Sequence, residues 1–212
     1  MSSPLRRPLF FGRTKEGGIA LIVSLLMLVV IMLLGTSAGQ VALLSEKASR
    51  NDRDRLLAFQ GAEAGLMDAE LDIEHSPDAA RSRSQLFSAK SARGFPGEGD
   101  EECRGGQANV YLGLCKGAQD GATPAWLTVD FQGATGAGAR SVPYGMFTGQ
   151  TLQTGAGALP RKPPRYIVEL MLYNKQGESA DTPSYFYRIT AIGFGSRDTT
   201  QVVLQTFYRK ED

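Results

Sequence analysis

The chain has 212 residues, 23 Lys and Arg against 22 Asp and Glu, one histidine and two cysteines. That balance excludes a uniformly basic surface for nucleic acid, and so few His and Cys leave little material for a zinc cage or an imidazole-based active site. A mean hydropathy of −0.18 excludes a multi-span membrane protein and a wholly disordered chain.

The averages conceal an asymmetry: residues 17–45 carry no charge, whereas the rest is polar, Gly-rich and charged. Within residues 19–34 only Ser24 is polar. Extended to Ala38 the run reaches the roughly 20 residues that cross a bilayer's hydrocarbon core. It is apolar on every face, so a soluble fold would have to enclose it completely. One membrane span is therefore expected. A cleaved secretory signal ending near Thr36-Ser37-Ala38-Gly39, a plain single-pass anchor and a prepilin-type leader all begin this way. Basic residues do not orient the span, because Arg6, Arg7, Arg13 and Lys15 precede it and Lys47, Arg50, Arg53 and Arg55 follow it.

Beyond the span no helix stop occurs before Ser76-Pro77. Val41, Leu44, Ala48, Leu56, Phe59, Ala62, Leu66, Ala69 and Ile73 recur largely at three- and four-residue steps. Arg53, Asp54, Arg55, Glu63, Asp68, Glu70 and Asp72 lie between them and read as a solvated face, with Arg53 and Arg55 in surface pairs with Asp52 and Asp54. A single helix over 19–74 would be about 80 Å long, with Gly35 and Gly39 as weak points of about 1 kcal/mol each. Gly61 and Gly65, one turn apart, would let another backbone approach closely.

Residues 94–157 hold 15 of the 25 glycines, too many for helices or a regular core. Residues 109–114 and 126–131 are isolated strand candidates, and Pro160-Arg-Lys-Pro-Pro164 is a stiff, extended lead-in to the C-terminal strands. Glu98, Asp100, Glu101 and Glu102 form an acidic turn, with calcium binding as the alternative to simple solvation. Residues 166–173, 185–193 and 200–208 read as three strands, with turn signals at 174–177 and 193–198. Such short connections predict an antiparallel meander whose apolar face covers the Leu56, Phe59, Leu66 and Ile73 stripe. The expected class is α+β: a long N-terminal helix packed on a small antiparallel sheet, with a long Gly-rich insertion. No phosphate-loop, nucleophile-elbow or zinc-protease string occurs, and residues 133–138 are a low-complexity loop rather than a dinucleotide loop. Neither an enzyme nor a cofactor is expected.

A basic leader ending in glycine and running straight into an apolar helix, Lys15-Glu16-Gly17-Gly18 before Ile19-Ala20-Leu21-Ile22-Val23, resembles a type IV prepilin. The strings Asn51-Asp-Arg-Asp-Arg-Leu-Leu-Ala-Phe-Gln-Gly-Ala-Glu-Ala-Gly65, Tyr187-Arg-Ile-Thr-Ala-Ile-Gly193 and Gln201-Val-Val-Leu-Gln-Thr-Phe-Tyr208 resemble PilX-type minor pilins of bacterial type IV pili. The likeness covers residues 13–75 and 165–209. It implies a pilin-like division into a leader at 1–18, a transmembrane and filament-core helix at 19–40, an amphipathic half at 41–75, a variable insertion at 76–164 and a sheet at 165–212. It further implies that a prepilin peptidase cuts between Gly18 and Ile19 at the cytoplasmic face of the inner membrane, and that Ile19 is then N-methylated. The C-terminal part would be periplasmic and later carried on a surface pilus.

Major pilins of this kind carry glutamate at the fifth residue after the cut, pairing with a neighbour's N-terminal ammonium; this chain has Val23. A subunit with no neighbour above it has no ammonium to neutralise, and an unpaired buried carboxylate is costly. Val23 thus points to a place at or near a fibre tip, the alternative being lipid-facing filler. The implied partners are other minor pilins and the major pilin through their N-terminal helices, the peptidase, the inner membrane and a large tip adhesin. The implied consequences are assembly priming, twitching motility and adhesion. A minor pseudopilin of type II secretion and an unprocessed membrane-anchored periplasmic binding module remain as alternatives. In a chain read as folding outside the cytoplasm, Cys103 and Cys115 are expected to form a disulfide contributing about 2–3 kcal/mol. Free thiols or half a metal site are the alternatives, and His75 stands alone near a helix end.

Overall fold

The structure, a computed structural model, describes residues 17–107, 109–118, 121–132, 136–173 and 183–210. They fall into two units, one ending at Ser49 and one beginning at Arg50. Leader residues 1–16, the 174–177 turn and residues 133–135 lie outside the described residues.

Helix α1 runs unbroken over Gly17–Glu74, through Gly35 and Gly39. Its last backbone bond comes from the His75 N–H to the Leu71 carbonyl at 3.1 Å, after which Pro77 cannot continue it. In the first unit the span's hydroxyls are satisfied within the helix. Ser24 donates to the Leu21 carbonyl at 2.9 Å, and Thr36 and Ser37 to the Leu33 carbonyl at 3.0 and 2.9 Å. No hydroxyl there needs water.

In the second unit a sheet packs on residues 50–74. Its strands are β1 (Leu114–Lys116), β2 (Val142–Pro143), β3 (Arg165–Tyr173), β4 (Ser184–Phe194) and β5 (Gln201–Tyr208). The order is β1-β3-β4-β5, and β2 also pairs with β3. β3, β4 and β5 form the expected antiparallel meander, with Val168 opposite Ile189 and Ala191 opposite Leu204. The sheet as a whole is mixed rather than antiparallel, because β1 pairs in parallel with β3. That pairing arises because the chain reaches β1 and then travels the long way round before entering β3.

Two other strand expectations fail for local reasons. At 109–114 the Asn109 side chain accepts the Tyr111 N–H at 3.0 Å, folding a turn, and only Leu114 enters a strand. At 126–131 a short helix, α2 (Ala125–Thr128), forms instead. Pro124 sets its entry with φ −68°, and the Ala125 N–H donates to the buried Glu169 carboxylate at 3.1 Å.

The Gly-rich segment is built into the core rather than attached to it. Phe87, Phe95, Leu112, Leu114, Val142 and Phe147 pack with Ile73, Tyr166, Val168, Tyr187 and Ile189 between helix and sheet. A second cluster on the outer sheet face joins Cys103, Cys115, Ala125 and Phe131 to Ile167, Ile192 and Phe194. The segment's glycines permit turns, while its scattered apolar residues fill the core.

The helical stripe that meets the sheet is only partly the one expected: Ile73 is in the core and Leu66 packs against it. Leu56 and Phe59 are exposed, and the buried row is Asp54, Ala58, Gly61, Gly65, Asp68 and Asp72, flanked by Ala62, Ala69 and Ile73. At 100° per residue those six positions fall within an arc of about 80°. Small residues win because the backbones nearly touch: a Cβ on Gly193 of β4 would overlap the Ala58 carbonyl oxygen and the Ala62 nitrogen. Bulkier apolar side chains on this row would hold the helix off the sheet and forfeit the contacts beneath it. Gly193→Val is therefore expected to destabilise the protein by about 3 kcal/mol or more, measured by urea unfolding. Gly39→Ala, with nothing within 4 Å of the added carbon, is expected to leave unfolding of the second unit unchanged.

Candidate assembly interface

From Ile19 to Leu44 every large apolar side chain is 46–71% exposed, Val23 at 49% among them. Covering each contributes about 1.5–3 kcal/mol, so the helix surface represents tens of kcal/mol that only lipid or other helices can supply. Gly18 and Ile19 stand in its first turn and Val23 one turn further on. The exposed apolar surface does not stop at the span. In the second unit Leu56, Phe59 and Met67 lie on the side of α1 turned away from the sheet, 60%, 40% and 65% exposed. Leu56 and Phe59, expected to meet the sheet, instead join Met67 in an apolar outer face of α1.

Beside the apolar core, buried polar contacts tie the helix to the sheet and its loops. Asp54, Asp68 and Asp72, read from sequence as solvated, are all buried. Asp54 accepts the N–H and hydroxyl of Ser196, at 2.5 and 2.7 Å, and the Thr200 hydroxyl, which fastens the β4–β5 loop. Asp68 accepts the Gly145 N–H at 2.7 Å and the Thr148 hydroxyl. Asp72 receives Arg83 through Nε at 3.0 Å and Nη2 at 2.7 Å, and the Tyr166 hydroxyl at 2.8 Å. Arg83 is fully buried, donates also to the Val110 and Leu112 carbonyls, and lies 3.8 Å from the Phe147 ring centre. Removing one partner of such a pair costs about 3–5 kcal/mol, because the other charge is left unpaired. At the helix end the Lys210 ammonium donates to the Ile73 carbonyl at 2.9 Å, complementing the negative end of the helix dipole.

The electrostatics of the three carboxyls differ. Burial pushes Asp54 up, but the bonds from Ser196, Thr200 and the Arg197 backbone outweigh it and hold its pKa below the ordinary value of 3.8. Burial wins at Asp68, and Asp72 beside it adds to the rise. Tyr166 is pushed well above 10.0 by complete burial and then by Asp72, so it stays a neutral donor.

Cys103 and Cys115 are joined by a disulfide in the outer sheet-face cluster. They belong to the second unit, and Gly18, Ile19 and Val23 to the first. The acidic turn is tied up by protein groups. Arg104 reaches Asp100 at 2.9 Å, Arg140 meets Glu101, and Thr128 donates to Glu102 at 2.5 Å. Among the described residues no group of three His, Cys, Asp or Glu could hold a metal ion.

Residues 17–66 match the family described as PilX N-terminal, and residues 111–210 the one described as Type IV pilus assembly protein PilX C-term. Together the two segments span more than two thirds of the chain. The chain belongs to the PilX family of type IV pilus assembly proteins. No curated protein and no solved structure matches it. The family match includes the span and the Asp54–Gly65 half of the seam, and it resumes 54 residues before the likeness read at 165–209, taking in β1 and β2. The apolar N-terminal helix fits a membrane-anchored pilin.

The carboxyl environments give opposite signatures in pH. A depressed folded pKa means the stability from Asp54 is fully present above 3.8 and is lost as pH falls through the folded value. Asp54→Asn is expected to be less stable than the parent at neutral pH, with the gap closing on acidification. Asp68 has a raised folded pKa, so its ionised form costs stability that returns as pH falls. The gap for Asp68→Asn is expected to widen on acidification. Urea unfolding at stepped pH reads both.

Proposed function

We propose that this pilin is a minor subunit that waits in the inner membrane with its N-terminus cytoplasmic, primes fibre assembly and stays at or near the tip. The observation that carries this is the charge-free, wholly exposed helix surface that begins directly after Gly18. Prepilin peptidase cuts between Gly18 and Ile19, and the new Ile19 amine is methylated. Lipid covers the helix first; sister helices replace lipid when the subunit leaves the membrane. Because each stem packs on a different surface of the next, the contact is heterologous and does not close, which generates a filament. The apolar outer face at Leu56, Phe59 and Met67 supports a contact that continues past the span.

Val23 supports the tip position. A subunit repeated along a shaft would place a carboxylate here against its neighbour's ammonium, and the exchange for valine removes the need for that neighbour. At the tip the pilin would meet other minor pilins and a large adhesin, and through them serve twitching motility and attachment.

Mass spectrometry of the protein from membranes is expected to give an N-terminus at Ile19 carrying one methyl group; an intact Met1, or a cut near Gly39, would contradict the processing. Val23→Glu is expected to reduce recovery of the subunit in sheared fibres, and wild-type recovery would remove the tip argument.

A further inference from the structure

We propose that the outer edge of β5 takes an extended strand of a partner protein, whose carboxylate at one end is held by Arg55. β5 closes the meander and pairs on one side with β4. At its start the Thr200 carbonyl accepts the Gly195 N–H at 2.8 Å, and bonded pairs in an antiparallel ladder recur at every second residue. Val202, Leu204 and Thr206 therefore spend their N–H and C=O groups on β4, whereas Val203, Gln205 and Phe207 turn theirs outward. Among the described residues no backbone group outside the ladder meets them. Elsewhere the margin of the sheet is covered. β1 and β2 flank β3, and residues 102–104 flank β1, with Lys116 N–H donating to the Glu102 carbonyl at 3.0 Å. Exposed edges are ordinarily blunted by lysine, proline or a bulge. Gln201–Tyr208 carries no charge, proline or glycine, and its pairing with β4 runs without a bulge. Val203 and Phe207 stand exposed on it. A row of this kind recognises backbone, so its ligand is a strand with apolar side chains at alternate positions.

Charge fixes one end of that ligand. Where β5 begins, Asn51, Arg55, Thr199, Gln201 and Val203 line a groove of about 510 Å³ that has no acidic residue in its wall. Among the described residues Arg55 has no ion pair. Asn51 gives its side-chain oxygen to Arg197 at 2.7 Å and keeps its amide N–H groups as donors. Asp54 does not compete, because Ser196 and Thr200 occupy its oxygens. Guanidinium and amide donors side by side suit a carboxylate. A second copy of this chain is a poorer occupant. Residues 199–203 lie beside Asn51 and Arg55, and the Tyr208 hydroxyl donates to Glu74 at 2.9 Å, so β5 runs in the same direction as residues 50–74 of α1. Antiparallel pairing of two β5 edges would set those two helical segments head to tail. Subunits inserted in one membrane share a chain direction, an argument that rests on the membrane reading above. The strand therefore comes from a different protein.

The test uses the full chain in detergent micelles and two synthetic peptides of alternating threonine and valine. Both are amidated and N-methylated along one edge so that they cannot pair with themselves; one ends in aspartate, the other in lysine. Hydrogen exchange at the β5 amides is read residue by residue by NMR. Exchange at Val203, Gln205 and Phe207 is expected to slow, with half-maximal effect at about fivefold lower concentration of the aspartate peptide. Arg55→Gln is expected to abolish that difference while leaving the slowing. Gln205→Pro deletes an outward N–H that the ladder does not use, so it is expected to abolish the slowing and keep the urea midpoint near the parent's. Val203→Lys, expected to block the edge in the same way, keeps the test informative if the proline variant fails to fold. No slowing with either peptide, equal potency of the two, or slowing that survives both edge variants would overturn the proposal. So would slowing that rises with protein concentration in the absence of peptide, which would give the edge to a second copy. Recovery of the chain from cells only in soluble form would overturn the membrane reading and leave the peptide result standing.

Discussion

The fold depends on one seam, where a helix face of glycine, alanine and aspartate meets β4 and the loops beside it. Two interleaved seven-residue rows, Asp54-Gly61-Asp68 and Ala58-Gly65-Asp72, place small residues where backbones must touch. They place carboxylates where loops must be gripped. Burying an aspartate is costly unless every oxygen is met. Here that cost gives specificity: each carboxylate accepts only from a particular part of the chain, Ser196 and Thr200, Gly145 and Thr148, or Arg83 and Tyr166. An apolar seam would tolerate sliding by a turn, whereas this one has one register.

That choice of seam releases the large apolar side chains for another use. With glycine and alanine against the sheet, Leu56, Phe59 and Met67 are left on the outside of α1. The preceding residues 17–45 carry the same character over every face. A single helix therefore carries two kinds of surface: a tight, polar-locked one packed within the subunit and a broad apolar one left exposed.

The span, the uninterrupted helix and the β3–β5 meander were legible because each rests on strong local signals: charge-free length, three- and four-residue periodicity, and β-branched runs between turn residues. The seam was not. Asp54, Asp68 and Asp72 carry the same letters as a solvated face, and only their seven-residue spacing against Gly61, Gly65 and Ala58 distinguishes them. Arg83 gave no signal at all, because its partners Asp72, Val110 and Leu112 come from distant parts of the chain. Glycine density misled in the opposite direction: residues 94–157 looked unfit for a core, yet Phe95, Leu112, Leu114, Val142 and Phe147 fill it. Asn109 and Pro124 turned two expected strands into a turn and a short helix, through side-chain and φ effects that residue-type preference does not capture.

The central claim is that the apolar surface of α1 exchanges lipid for sister stems. A photocrosslinking amino acid placed at Leu26, read separately in membranes and in sheared fibres, tests it most directly. The account predicts lipid adducts in the membrane fraction and adducts with the N-terminal helix of another pilin in the fibre fraction. Subunits that enter fibres yet never crosslink to another stem would contradict it.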